Sequence, residues 1–397
     1  MLPVRQRSGS RANEKPLRVT DAPVAKQAKH PILNRDTETR HTGRPGYPIR
    51  VLWRCLVASY CLGIVHDTDL VQRLEANRAL AEACGITSFE AIPSIYAICR
   101  FRRKLASFHD AVAQVLSDAV ETVRSQIPDF GATVAVDATD IKAWANGFHQ
   151  WTDPDAGTGA KQKAARRVFW YGYKVHLAVD ANSELPLWFE VTPANRYDGD
   201  SLPSVLDAAR SRFDWFKPRY VLADKGYDAS RLFKYVGEEL KAIPIIDVRK
   251  QRNAEPRETL PCEAYPVETP EGIRYRCDRR VRTMEAKCPV FTLCPAFRTF
   301  VDDPVNWERH PGPVHEQYAP FPYRSTEWTL LYNKRVSVER AFSRLKGYRK
   351  LNSLRTRRMP KVWLHVAMGL LVTLASRGSP THGHRAENQQ TAQSHAA

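Results

Sequence analysis

The spacing of hydrophobic and polar positions changes several times along this chain, and each change predicts a different element. From Pro48 to about Ser125 the apolar residues recur at helical spacing: Leu52, Cys55, Leu56 and Tyr60 share a face, and Leu70, Leu74 and Leu80 continue it. Asp67 to Asp69 predicts a cap for the second of these helices. Pro93 and Ser94 predict the start of another, running into Arg100, Arg102, Arg103 and Lys104. After Gly131 the period shortens. ATVAVDATD reads as a strand with Asp137 near its end, and WYGYKVHLAVD alternates with Tyr171, Tyr173, Val175, Leu177 and Val179 on one face. A turn at Asn182 and Ser183 leads to a third strand, LWFEVT. Asp200 to Arg212 predicts a helix with Leu202, Val205, Leu206 and Ala209 inward. A short apolar run from Arg219 to Ala223 ends in Asp224, a second helix follows, and Ile243 to Asp247 makes a fifth strand. A strand meander followed by helix, strand, helix, strand is the order of an α/β fold with a mixed sheet flanked by helices.

Beyond the fifth strand lies a Pro-rich insert, 248–327, carrying Cys262, Cys277, Cys288 and Cys294. Their wide spacing lacks paired CxxC knuckles, so the four thiols read either as a structural Zn²⁺ site or as unrelated free cysteines. YNKRVSVERAFSRLK, Tyr332 to Lys346, then predicts one helix. At about 100° per residue, Tyr332, Arg335, Glu339 and Lys346 fall within an arc of roughly 60°. Val338, Phe342 and Leu345 give it an adjoining apolar face for docking. The apolar run from Val362 to Ala375, about 14 residues interrupted by His365, is shorter than the roughly 20 of a membrane span and predicts a buried helix.

Charge adds a partner. The 397 residues allow two or three domains, and the net charge of +17 favours a polyanion, nucleic acid over membrane. Residues 1–45 mix Arg, Lys, Pro, Ser and Thr without periodicity and read as a disordered basic arm with nonspecific attraction to phosphates; 377–397 reads as a disordered polar tail. The opening MLPVRQRSGSRANEKP has no apolar run of a signal peptide. Eight cysteines without an export signal point to a reducing compartment, as free thiols or metal ligands. The helices of 46–127, with cations grouped at one end, suit either a DNA-reading unit or a bundle with an incidental basic end.

The candidate chemistry lies in isolated acids. From Lys334 to Lys361 there are eleven Lys or Arg and Glu339 as the single acid. A solvated charged face accounts poorly for that lone carboxylate, whereas a carboxylate that holds a divalent cation beside cations that hold phosphate oxygens accounts for both. Asp137 and Asp224 each sit at a strand end, where a lone aspartate by default reads as a turn or cap residue. Asp140 is the rival of the first; Asp228, past Gly226, reads as a helix cap. His176 reads as a strand residue rather than a general base, and Trp328 as packing rather than a stacking surface for a displaced base.

The spacing Tyr-x2-Arg-x3-Glu-x6-Lys resembles that of bacterial insertion-sequence transposases of the DDE type, and AVDATDIKA, WYGYKVHLAVD, VTPANRYDGDSL and VLADKGYD resemble their core segments in order. AIPSIYAICRFRRKL resembles their helical N-terminal domain. The resemblance implies a retroviral-integrase-like (RNase H-like) catalytic domain over 128–376, in which the ends of the first and fourth strands lie side by side. It implies Asp137, Asp224 and Glu339 as ligands of two Mg²⁺ or Mn²⁺ ions, with Tyr332, Arg335 and Lys346 on phosphates near the transposon end. Arg102, Arg103 and Lys104 would contact DNA. It further implies terminal inverted repeats and target DNA as substrates, a homodimer on paired ends, and a bacterial cytoplasmic, nucleoid-associated location without a membrane. A nuclease of the same fold that does not join ends, and an idle DNA-binding repressor of transposase descent, are the alternative readings.

Overall fold

The computed structural model describes residues 46–88, 91–163, 166–248, 264–269, 272–277, 318 and 323–377. It opens with helices α1 (Ile49–Cys61), α2 (Asp67–Ala76), α3 (Arg78–Ala83) and α4 (Ile95–Leu105). Leu52, Cys55, Leu70, Leu74, Ala81, Cys84 and Ile98 bury a small core between them, as their helical spacing requires. Ser94 caps α4 by accepting from the Ala97 amide at 3.3 Å. The expected cap of α2 is different. His66 holds the N-cap position with no side-chain bond, and Asp67 instead turns across to bind both guanidinium nitrogens of Arg102 at 3.0 and 2.6 Å. A bidentate ion pair is a stronger partner for a carboxylate than one amide.

Helix α5 (His109–Arg124) crosses to the second unit, where Val112, Leu116, Val120 and Val123 join the main core. That core surrounds a sheet of β1 (Thr133–Lys142), β2 (Gly157–Lys163), β3 (Arg166–Asp180), β4 (Pro186–Pro193), β5 (Tyr220–Ala223) and β6 (Ile243–Ile246). The path runs β2-β3-β1-β5-β6, with β4 also on β3. β1, β3 and β4 are antiparallel, whereas β5 and β6 add in parallel, so the sheet is mixed. Helix α6 (Asp198–Arg212) packs on β4 and β3, and the short α7 (Ser230–Lys234) precedes β6. The α/β reading holds, with one strand missed: GTGAKQK has too little apolar content to announce β2, which is held by the extended β3. Asp228 is not the cap of α7, whose N-cap is Ala229.

Strands β7 (Ala264–Thr269) and β8 (Gly272–Cys277) form a separate hairpin within the insert. Of the four thiols proposed for zinc, Cys277 closes β8; Cys262, Cys288 and Cys294 lie outside the described residues.

The chain returns in α8 (Thr326–Asn333) and α9 (Val336–Gly347) and ends in α10 (Met359–Arg377). The single helix expected over Tyr332 to Lys346 is therefore two. Lys334 and Arg335 sit in a tight turn, their amides bonded to the Leu331 and Tyr332 carbonyls three residues back at 3.0 and 2.9 Å, so α9 starts on a new axis. Helix α10 is long and apolar enough to cross a membrane, yet it packs against α5, β4 and α1, with Val362, Val366, Leu370 and Leu374 in the core.

Candidate active site

β1 and β5 set the first two carboxylates. They run parallel with Thr133 beside Tyr220, Val134 beside Val221 and Ala135 beside Leu222. Two steps further that register sets Asp137 opposite Asp224, across strands spaced about 4.8 Å. Asp137 is mid-strand rather than terminal: β1 continues along β3 to Lys142, but β5 stops at Ala223, and this uncovers one edge of β1 at the aspartate. Asp224 caps the turn Lys225–Tyr227, accepting from the Gly226 amide at 2.7 Å. A Cβ on residue 226 would itself stand 2.7 Å from that carboxylate oxygen, so a side chain there would displace the Asp224 carboxylate. The Tyr197 phenol donates to the Gly226 carbonyl at 2.8 Å and fixes the turn from the side of α6.

Glu339 comes from the first turn of α9 and is half exposed. Helix α9 is tied by ion pairs to the β3–β4 turn, in addition to its buried apolar face. Arg340 and Arg344, one helical turn apart, bind the two oxygens of Glu184 at 2.7 and 2.5 Å, and Arg344 also donates to the Glu184 carbonyl at 2.9 Å. Lys334 reaches Asn182 in the same turn at 2.9 Å. Val338, Phe342 and Leu345 bury the apolar face beneath.

Between the acids stands Arg335. Its guanidinium lies 2.7 Å from Glu339 and 3.9 Å from Asp137, and 5.6 Å from the Tyr332 ring centroid. Tyr332, in the preceding helix, stacks on Trp328 at 4.6 Å, and Trp328 is buried as packing. Burial raises the Tyr332 phenol above its ordinary range, partly offset by Arg335. Lys346 is half-buried and its ammonium is lowered by that burial, with Asp140, Lys161 and Asp137 as its charged surroundings. Asp140, the rival carboxylate, is paired with Lys161. His176 is buried, bonded to the Thr192 hydroxyl at 2.9 Å, and burial lowers it to about 4, so it is a packed strand residue.

Asp137 is strongly perturbed. Burial first, and then the negative charges of Asp224 and Glu339, push it up to about 7, against the Ala138 amide and Arg335. Among the described residues no group of three or more His, Cys, Asp or Glu side chains, Asp137, Asp224 and Glu339 included, is gathered closely enough to hold a metal ion as it stands. The donor set is oxygen-only, which suits a hard divalent cation, and a raised, crowded carboxylate is one that a bound cation relieves. Sequence reading missed Tyr227. Its hydroxyl is buried without a hydrogen-bond partner, in the electrostatic range of Asp137, Asp224 and Asp198. The available signal was a bulky aromatic placed in a polar turn, DKGYD.

The basic residues of 46–127 divide. Arg102 pairs with Asp67, and Arg100, Arg103 and Lys104 lie exposed on α4 with Tyr96. The basic run from Arg349 to Lys361 is partly committed as well. Arg349 donates to the Tyr60 and Cys61 carbonyls and to Ser376, Arg357 to the Trp144 carbonyl, and Arg358 pairs with Asp155.

No curated protein and no solved structure matches the chain. Two family models do: the transposase domain (DUF772) over residues 7–104 and the transposase DDE domain over residues 128–375. The second spans more than half of the sequence and contains Asp137, Asp224, Tyr332, Arg335 and Glu339, and the chain therefore belongs to the insertion-sequence DDE transposases.

Proposed function

We propose that this transposase binds the terminal inverted repeats of its element and catalyses divalent-metal-dependent DNA cleavage and strand transfer, on a mixed sheet of RNase H-like type. The observation that carries the reading is Asp137, a strand carboxylate raised to about 7 among two further acids and flanked by Arg335 and Lys346. Asp137, Asp224 and Glu339 are the residues to hold two Mg²⁺ or Mn²⁺ ions, which when bound supply activation of water or a 3′-hydroxyl and stabilisation of the departing oxygen. Tyr332, Arg335 and Lys346 orient the phosphate, with Arg335 exchanging its carboxylate partners for phosphate oxygens when DNA enters. Arg102, Arg103 and Lys104 on α4 contact DNA in the 46–127 unit, ahead of a catalytic unit at 128–376, and two copies act on paired ends in the bacterial cytoplasm. Zinc in the insert is tested by metal analysis after dialysis: less than about half an equivalent rejects it.

The direct test is cleavage of DNA flanking the coding region in Mg²⁺, followed by joining of pre-cleaved ends. Cleavage without joining favours a nuclease. A second reading has one observation in its favour: Arg335 pairs with Glu339 at 2.7 Å and lies 3.9 Å from Asp137, contacts that an idle DNA-binding descendant would keep. Specific binding to the element ends with no cleavage in Mg²⁺ or Mn²⁺ establishes that reading instead.

A further inference from the structure

Away from the carboxylates, the structure exposes four large aromatics in one place. Trp144, Phe148, Trp151 and Phe169 are 47%, 94%, 76% and 62% accessible. They share a surface. The β1–β2 loop lies on Tyr171: the Tyr171 phenol donates to the Asp153 carbonyl at 2.7 Å, the Ala143 amide to the Tyr171 carbonyl at 3.0 Å, and a Cβ at Gly147 would stand 3.1 Å from the Tyr171 Cβ. Phe169 is two residues from Tyr171 along β3 and so projects from the same face.

Cations border these rings. Arg357 lies 5.1 Å from the Trp144 centroid and Arg167 lies 5.4 Å from that of Phe169, both in cation–π geometry. The acids of the loop face inward. Asp153 is fully buried, bonded to the Tyr173 hydroxyl and the Arg358 amide, and Asp155 accepts from the Met359 amide and pairs with Arg358. What faces solvent is a set of aromatic faces in a positive field, the combination that binds unpaired nucleic-acid strands by stacking and backbone attraction. A duplex hides its base faces; an unpaired strand does not. The placement relative to Asp137 fits: β1 ends at Lys142, five residues beyond it, or about 17 Å at 3.3 Å per residue, on the order of five nucleotides.

We propose that Trp144, Phe148, Trp151 and Phe169 form a stacking platform for unpaired DNA bases flanking the site of strand cleavage, with Arg167 and Arg357 drawing in the backbone. The identity of the occupant rests on the DNA-cleaving reading above, and the test reads binding alone, in chelator, so that failed catalysis and a failed platform are separate results. The full chain is titrated with oligothymidylate and with blunt duplex of equal length. Wild-type tryptophan fluorescence is quenched by the oligothymidylate. Combined Trp144→Ala, Phe148→Ala, Trp151→Ala and Phe169→Ala lowers oligothymidylate affinity by about tenfold or more and leaves duplex affinity nearly unchanged. Phe148→Ala alone, at the most exposed ring, gives a smaller loss of the same selectivity and keeps the test open should the combined variant unfold. Arg167→Gln with Arg357→Gln flattens the salt dependence of oligothymidylate binding. Equal loss on both DNAs, or no loss on either, overturns the proposal. So does a change from dimer to monomer with DNA affinity intact, which makes the patch an interface between copies of the chain.

Discussion

The two halves of the carboxylate site are held by different forces. Asp137 and Asp224 are placed by backbone: parallel register between β1 and β5 sets them side by side, and a buried sheet does not shift register without turning every side chain to the wrong face. Glu339 is placed by side chains. Its helix stands on a small apolar face and on the clamp of Arg340 and Arg344 about Glu184. Strand-borne groups are therefore rigid and part-buried, and the helix-borne group is exposed and adjustable, so that substitutions in the first half act through chemistry and those in the second through position.

The largest expected effect belongs to the rigid half. Asp137→Ala reduces cleavage and strand transfer by about a thousandfold or more, the scale of losing metal-assisted charge stabilisation, while specific DNA binding persists. Cleavage near the wild-type rate in a gel assay would remove Asp137 from the site.

The same residue sharpens the contrast through pH. Its carboxyl is raised from 3.8 to about 7, so the folded state holds the proton more tightly than the unfolded state. Without divalent ions, the wild-type chain is therefore most stable below about pH 4 with respect to this group, loses stability as pH rises towards 7, and loses no more above it. The full span is at most about 4 kcal/mol, reduced by solvent at this partly open site. Asp137→Asn flattens that part of the curve in chemical denaturation, and Glu339→Gln changes it little. Parallel curves for wild type and Asp137→Asn would mean that the carboxylate is not crowded.

Next comes the clamp. Glu184→Ala leaves Arg340 and Arg344 without their carboxylate and costs about 1–3 kcal/mol of stability, with cleavage falling about tenfold as α9 loses its seat. Glu184→Gln, which keeps one acceptor oxygen but sets an NH2 donor against the other arginine, falls between. Full cleavage by a destabilised Glu184→Ala protein would show that α9 is positioned without the β3–β4 turn.

Legibility from sequence follows the same division. Alternation in β1 and β3 and the short apolar run of β5 are local patterns, so five of the six strands, and the places of Asp137 and Asp224 along them, are readable without coordinates. The turn at Lys334 and Arg335 is not, because nothing in YNKRVSVERAF breaks a helix; tertiary docking of α9 overrides its propensity. Cations mislead most. A run of Arg and Lys reads as a DNA-facing surface, yet Arg340, Arg344, Arg349 and Arg358 are committed to Glu184, backbone carbonyls and Asp155. Partners so distant in sequence leave no trace in spacing. β2 escapes notice for a similar reason, since its pairing belongs to β3.

The smallest effect tests the one buried group in the rigid half that has no partner. The Tyr227 hydroxyl lies beneath Asp137 and Asp224 without a hydrogen bond, a state that costs about 1–3 kcal/mol relative to solvent. Tyr227→Phe keeps the ring that fills the core and deletes only the orphaned oxygen, so the variant gains about 1 kcal/mol in thermal or denaturant unfolding. Cleavage moves the other way, down several-fold, because the phenol, within electrostatic range of both aspartates, is an unused donor that can support them once DNA and cations rearrange them. A variant less stable than wild type would mean that the hydroxyl is already bonded, and that the rigid half is satisfied before any substrate arrives.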